Sequence, residues 1–174
     1  MMKKLFLMTL VLGALAVTGC KKDEMKGSFQ LGGESYTVTG AVAYLCSRDA
    51  DETNYELYLL MDGTTLESEY GSVMYIDLYF PGSVNELQAG TYRIGEVVCQ
   101  WVEFASYTQT DEIYHEIMSG SVTIEKSGGN YTISCSGTAD NGESVSCSYT
   151  GPVQYMQDEY SEVSYAKRMS ARKK

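Results

Sequence analysis

Along most of the chain, apolar and polar residues alternate with a period of two. Residues 73–80 are representative. Met74, Ile76, Leu78 and Phe80 fall on one face of an extended chain, and Val73, Tyr75, Asp77 and Tyr79 on the other. In residues 36–46 the even positions carry Tyr36, Val38, Val42, Tyr44 and Cys46. Residues 121–126 alternate around Val122 and Ile124, and residues 131–135 and 145–149 do so almost strictly. Alternation of this kind, rich in β-branched and aromatic side chains, marks half-buried antiparallel strands. Turn residues separate the runs: Gly32-Gly33, Asp62-Gly63, Pro81-Gly82, Gly128-Gly129-Asn130 and Asp140-Asn141-Gly142. The pattern predicts strands at 28–32, 35–47, 54–62, 71–80, 90–95, 97–107, 113–126, 130–137 and 143–151. Short strands at this spacing make an all-β, antiparallel, eight- or nine-stranded barrel or sandwich. No stretch holds a helical period over three turns, and residues 154–174 read as a tail containing either a short helix or no regular structure.

The N-terminus departs from this pattern. Lys3 and Lys4 precede an apolar run at 5–17 interrupted only by Thr9 and Gly13, and Val17-Thr18-Gly19-Cys20 follows. A basic start, a short apolar core and small residues before a cut site are the parts of a secretory signal. The run is shorter than the roughly 20 residues of a membrane-spanning helix. Val17-Thr18-Gly19-Cys20 resembles the lipobox of bacterial lipoproteins. That resemblance implies a signal peptide at 1–19, a diacylglycerol thioether on Cys20 and a lipidated tether at 20–27. Two or more acyl chains hold stably, at about 0.8 kcal/mol per buried CH₂. Lys21-Lys22-Asp23-Glu24 resembles the export tag on surface lipoproteins of Bacteroidetes. This implies a lipid-anchored protein of the outer membrane, on the cell surface; the same charges also suit a plain solvated linker.

Charge narrows the partners. The formal net charge is −10, and residues 27–166 hold only Arg48, Arg93 and Lys126 against 21 acidic residues. Such a surface repels phosphate, so nucleic acid is not an expected partner. A membrane reached through the lipid anchor, an envelope partner and a small apolar ligand are the expected ones. Lys167, Arg168, Arg172, Lys173 and Lys174 reverse the sign at the C-terminus, which reads as a frayed basic end or as a contact to an anionic surface.

After the signal, about 140 residues remain, enough for one core. Several segments look like those of small β-barrel lipoproteins of Bacteroidetes described as calycin-like: Leu87-Gln88-Ala89-Gly90-Thr91-Tyr92-Arg93-Ile94-Gly95, residues 119–124, Tyr131-Thr132-Ile133 and Ser148-Tyr149-Thr150-Gly151-Pro152. The resemblance covers roughly residues 30–153 and implies a calycin-like domain at 28–153. It brings no catalytic residues.

Four cysteines remain once Cys20 is lipidated: Cys46, Cys99, Cys135 and Cys147. An even count in an exported domain makes disulfides candidates. A hairpin turning symmetrically about Asn141 sets Cys135 opposite Cys147 and Ile133 opposite Tyr149. Cys46–Cys99 is then left by elimination. Alternatively, all four are small buried apolar residues.

Candidate chemistry is sparse. His115 is the only histidine and sits in a strand-like run, so it reads as an ordinary sheet residue. Asp49-Ala50-Asp51-Glu52-Thr53-Asn54 puts oxygens at alternate positions. It lacks the glycine and the distal glutamate of a calcium loop, having Tyr55 and Leu60 there, and reads as a solvated hairpin loop. There is no Gly-x-Ser-x-Gly elbow and no phosphate-binding loop. Neither an enzyme nor a metal or cofactor is expected. Trp101, the one tryptophan, is expected in the core, or else in the wall of a pocket with Tyr44 and Leu57. The leading functional expectation is a non-enzymatic envelope domain that holds a small apolar ligand inside the barrel. The alternative is a structural or adhesive surface protein with a filled core.

Overall fold

The computed structural model describes residues 26–157. Ten strands run in chain order: β1 (Lys26–Leu31), β2 (Glu34–Arg48), β3 (Glu52–Met61), β4 (Gly71–Pro81), β5 (Gly90–Arg93), β6 (Cys99–Tyr107), β7 (Glu112–Ser127), β8 (Asn130–Ala139), β9 (Ser144–Gly151) and β10 (Gln154–Gln157). There is no helix among the described residues. Eight of the strands form an antiparallel meander, β1-β2-β3-β4-β6-β7-β8-β9, and β1 closes it by pairing with both β2 and β9. The sheet is therefore a closed barrel rather than a sandwich, consistent with the calycin-like architecture. Closure leaves the wall without a free outer edge.

Two strands are longer than one barrel wall and change partners along one edge. Residues of β2 up to Thr37 pair with β1, and Val42–Leu45 pair in parallel with β10. Residues of β7 up to Glu116 pair with β6, and Ser121–Ile124 pair with β5. Each change falls at a register shift, between Val38 and Gly40 and between Ile117 and Ser119. A bulge bends its strand and increases the local twist, which is what exchanging one neighbour for another demands. In β7 the bend is made by glycine: Gly120 has φ +131°, and it lies opposite Gly137 on β8. A Cβ on Gly120 would come within 2.0 Å of the Ser136 carbonyl oxygen.

The strand β10 corrects the expected tail. Residues 154–157 neither form a helix nor trail away; they extend the sheet beside β2. The Tyr149 hydroxyl donates to the Pro152 carbonyl at 2.6 Å, fixing the step from β9 to β10. Tyr155 then points inward, donating to the Tyr131 hydroxyl at 2.8 Å and accepting from the Leu87 N–H at 3.0 Å. Leu87 belongs to the β4–β5 connection and is itself buried. These contacts join β10, β8 and that connection at one end of the barrel.

Apolar residues from every wall strand fill the centre. Phe29 and Phe104 stack with ring centroids 4.6 Å apart, and Tyr36 packs against both. Leu57, Leu59, Met74, Ile76, Leu78, Phe104 and Ile133 have no accessible surface. Side chains without accessible surface border no space that admits a water molecule, so they pack as a solid core. β9 alternates strictly between buried and exposed positions, but β3 and β4 are buried on both faces. Their outer residues Tyr58, Leu60, Val73 and Tyr75 form a second buried cluster with Val42 and Ala105.

Candidate functional site

The three residues expected to line one pocket do not meet on one surface. Leu57 faces the barrel centre and is fully buried. Tyr44 packs on the outer cluster. Trp101 is 38% exposed on the outside of β6 and does not plug the core. Strand alternation puts Val102 and Phe104 inward and leaves Trp101, Glu103 and Ala105 outward.

Register orders the outer face into rows. Tyr44, Glu56, Asp77 and Trp101 stand in line across β2, β3, β4 and β6. In the next row Val42, Tyr58, Tyr75, Glu103 and Glu116 continue onto β7. Leu60, Val73, Ala105 and Tyr114 make a third. The face thus grades from apolar to acidic, with aromatic side chains throughout. Leu66 and Met156 pack against its apolar part.

The carboxylates here are bonded by neutral donors. Glu56 accepts from the Tyr58 hydroxyl at 2.5 Å, and the Tyr75 hydroxyl and Cys46 thiol also reach it. Asp77 accepts from Asn54 Nδ2 at 2.7 Å and from the Tyr79 hydroxyl. One oxygen of Glu103 accepts from Trp101 Nε1 and from the Tyr114 hydroxyl, each at 2.9 Å. Burial raises the Glu56 carboxyl above its ordinary range; the Tyr58 bond opposes this and the Asp77 charge adds to it. Burial also raises Asp77, against the bonds from Asn54 and Tyr79. Burial and the neighbouring Asp77 and Glu56 charges raise the Tyr75 hydroxyl. Tyr79 is pushed up to about 12 by burial and by Asp77. Arg48, Arg93 and Lys126 are engaged elsewhere, with Asn85, Glu96 and Glu86 respectively.

The cysteines divide between the two sides of the wall. Cys135 lies directly opposite Cys147, and Ile133 opposite Tyr149, as the symmetric turn requires. Both thiols are buried and free. Cys46 and Cys99 cannot bond to each other. They sit on β2 and β6, three strand pairings apart, roughly 14 Å at the usual strand spacing. Cys46 lies by the outer Glu56, whereas Cys99 is in the core. A disulfide needs Cα atoms within about 7 Å. Burial, helped by the Glu56 charge, pushes the Cys46 thiol up to about 12. Burial does the same for Cys99 and Cys147, each to about 12.

His115 lies opposite Phe104 on the neighbouring β6, with Nδ1 2.8 Å from Asp140 Oδ1. That bond, with the charge behind it, holds the Asp140 carboxyl below its usual range. The Asp49 carboxylate turns inward to its own loop, accepting the N–H groups of Asp51 at 2.8 Å and Glu52 at 2.9 Å. Among the described residues no group of three or more acidic, histidine or cysteine side chains could hold a metal ion. An open apolar groove of about 490 Å³ lies where β2 exchanges β1 for β10, lined by Gly40, Val42, Leu60, Pro152 and Val153 among others. Cys20 lies outside the described residues.

The outer carboxylate rows were not singled out in the sequence, though a signal was present. Residues 57–61 and 73–76 contain no charged residue and no break in apolar or tyrosine character. Continuous runs of that kind belong to strands buried on both faces. Set against protein-family models, curated proteins and solved structures, the chain matches none.

Proposed function

We propose that this chain is a lipoprotein of the bacterial cell envelope, held in the outer membrane by lipid on Cys20 and displayed at the cell surface in the manner of Bacteroidetes surface lipoproteins. Its β domain is non-enzymatic and acts through the outside of the barrel, as a structural or adhesive module. The observation that carries this reading is the filled centre: Leu57, Met74, Ile76 and Phe104 have no accessible surface. An interior carrier of small molecules needs a cavity of a few hundred Å³. The lipobox-like Val17-Thr18-Gly19-Cys20 supports the anchor, and Lys21-Lys22-Asp23-Glu24 supports the surface location. The groove beside Gly40 and Val153 favours a second reading, in which a small apolar ligand binds on the outside.

The anchor is tested by detergent-phase partitioning of the full chain and of Cys20→Ala expressed in a host that processes lipoproteins. The native chain is expected in the detergent phase and Cys20→Ala in the aqueous phase. Equal partitioning of the two would contradict the anchor. Protease added to intact cells tests the surface location, with loss of the native chain expected and full protection opposing it.

A further inference from the structure

We propose that the outer face of β6 and β7, around Trp101, Glu103 and Tyr114, is a docking site for an arginine side chain presented by a basic segment of a partner protein. This rests on the outward-acting reading of the domain and names the partner chemistry that reading leaves open.

Unlike the buried rows on β3 and β4, this face is open. Trp101 is 38% exposed and Tyr114 39%. Met118, further along β7, is 57% exposed. Large apolar side chains left together in water on a folded domain mark a contact surface. The two rings are also held in place. Trp101 Nε1–H and the Tyr114 hydroxyl both donate to Oε2 of Glu103, each at 2.9 Å, so the two donor atoms lie no more than twice that distance apart. Rings and a carboxylate fixed in advance lose little freedom when a ligand arrives.

The polar groups of the site select the class of ligand. Both ring donors are directed onto Glu103, so a ligand meets aromatic surface and carboxylate oxygen. Oε1 of Glu103 receives neither of these bonds, and Glu116 stands directly opposite Glu103 on β7. Like charges directly opposite on neighbouring strands repel, and a cation between them relieves the repulsion. The domain's own Arg48, Arg93 and Lys126 are engaged at other places, with Asn85, Glu96 and Glu86. Charge complementarity therefore asks for a cation brought by a partner. A guanidinium fits this arrangement: it is planar, stacks on an indole face, and donates from its edges to more than one carboxylate. An ammonium is a compact, strongly hydrated point charge and cannot stack.

The test titrates the full chain, in neutral detergent, with a short synthetic peptide of alternating glycine and arginine and with its lysine counterpart. Trp101 is the only tryptophan, so its emission reports on this site directly. The expected result is a saturable change in emission with the arginine peptide, and binding of the lysine peptide weaker by about fivefold or more. Calorimetry extends the test to variants. Trp101→Ala and Glu103→Gln are each expected to weaken binding by about fivefold or more. Glu103→Gln keeps an oxygen for Trp101 and Tyr114, so it removes the charge without the ring arrangement. Glu125→Gln removes the same charge at an exposed position elsewhere on β7 and is expected to leave binding within about twofold. Equal binding of the two peptides, or equal weakening by Glu103→Gln and Glu125→Gln, would reduce the contact to the general acidic field and overturn the proposal. So would an absence of binding, or self-association abolished by Trp101→Ala, which would make a second copy the occupant. Partitioning and protease accessibility decide the anchor and the surface location separately, so a failed titration overturns this site and leaves those two standing.

Discussion

Glu56 and Asp77 stand directly opposite one another on β3 and β4, on the outside of the barrel, each raised chiefly by burial. A carboxyl raised in the folded state favours folding most when protonated. Its contribution is fully present below the unfolded value, about 4, and is lost as pH rises through the folded value. Glu56→Gln and Asp77→Asn keep an oxygen to accept from Tyr58 and Asn54 while removing the charge. Both variants are expected to be more stable than the native chain at neutral pH, with the gap closing towards about pH 4. Urea unfolding across that range checks this. A gap that widens on acidification would reverse the sign.

Packing separates the inside of the barrel from the outside. Leu57→Ala removes a fully buried side chain from a filled centre and is expected to cost about 2–5 kcal/mol. Trp101→Ala acts at a 38% exposed position and is expected to cost less than Leu57→Ala, despite the larger side chain removed. Chemical denaturation of the two variants measures the order. If Trp101→Ala cost more, the tryptophan would be part of the core after all.

The bend in β7 depends on Gly120. Gly120→Ala forces a side chain into a left-handed conformation, at about 1–3 kcal/mol, and adds a collision with the Ser136 carbonyl. Destabilisation of at least about 2 kcal/mol is expected. Gly129→Ala, at a turn position where a Cβ meets nothing within 4 Å, serves as the control and is expected to be near neutral.

Tyr155 ties the last strand to the barrel. Tyr155→Phe keeps the ring but removes the bond to Tyr131 and leaves the Leu87 N–H without its acceptor. Losing both is expected to cost about 1–3 kcal/mol. Hydrogen exchange should show faster opening in β10 and in the β4–β5 connection than in β8 and β9.

Much of this architecture was legible in the sequence. The Asp140-Asn141-Gly142 turn fixed the pairing of Cys135 with Cys147, because Gly142 takes φ +84° and its N–H bonds the Ala139 carbonyl. Strand ranges followed from alternation. What alternation could not supply was partner choice. Closure depends on β1 finding β9 at the far end of the described chain, and the four residues of β10 are too few for any period to show. The outer site was missed for a related reason. One-sided burial is the default for antiparallel strands, whereas Tyr58 and Tyr75 are buried on the outer side, where Met156 and Leu66 converge on their cluster from distant parts of the chain.

The claim on which the functional reading turns is that the barrel centre is full and recognition lies outside. Native mass spectrometry of the full chain purified from its envelope tests this most directly. The expected mass is the polypeptide with its lipid anchor and nothing else, unchanged after denaturation and re-measurement. A small molecule retained at one per chain, released only on unfolding and retained equally by variants of the outer groove and face, would mean that the interior holds a ligand and would contradict the claim.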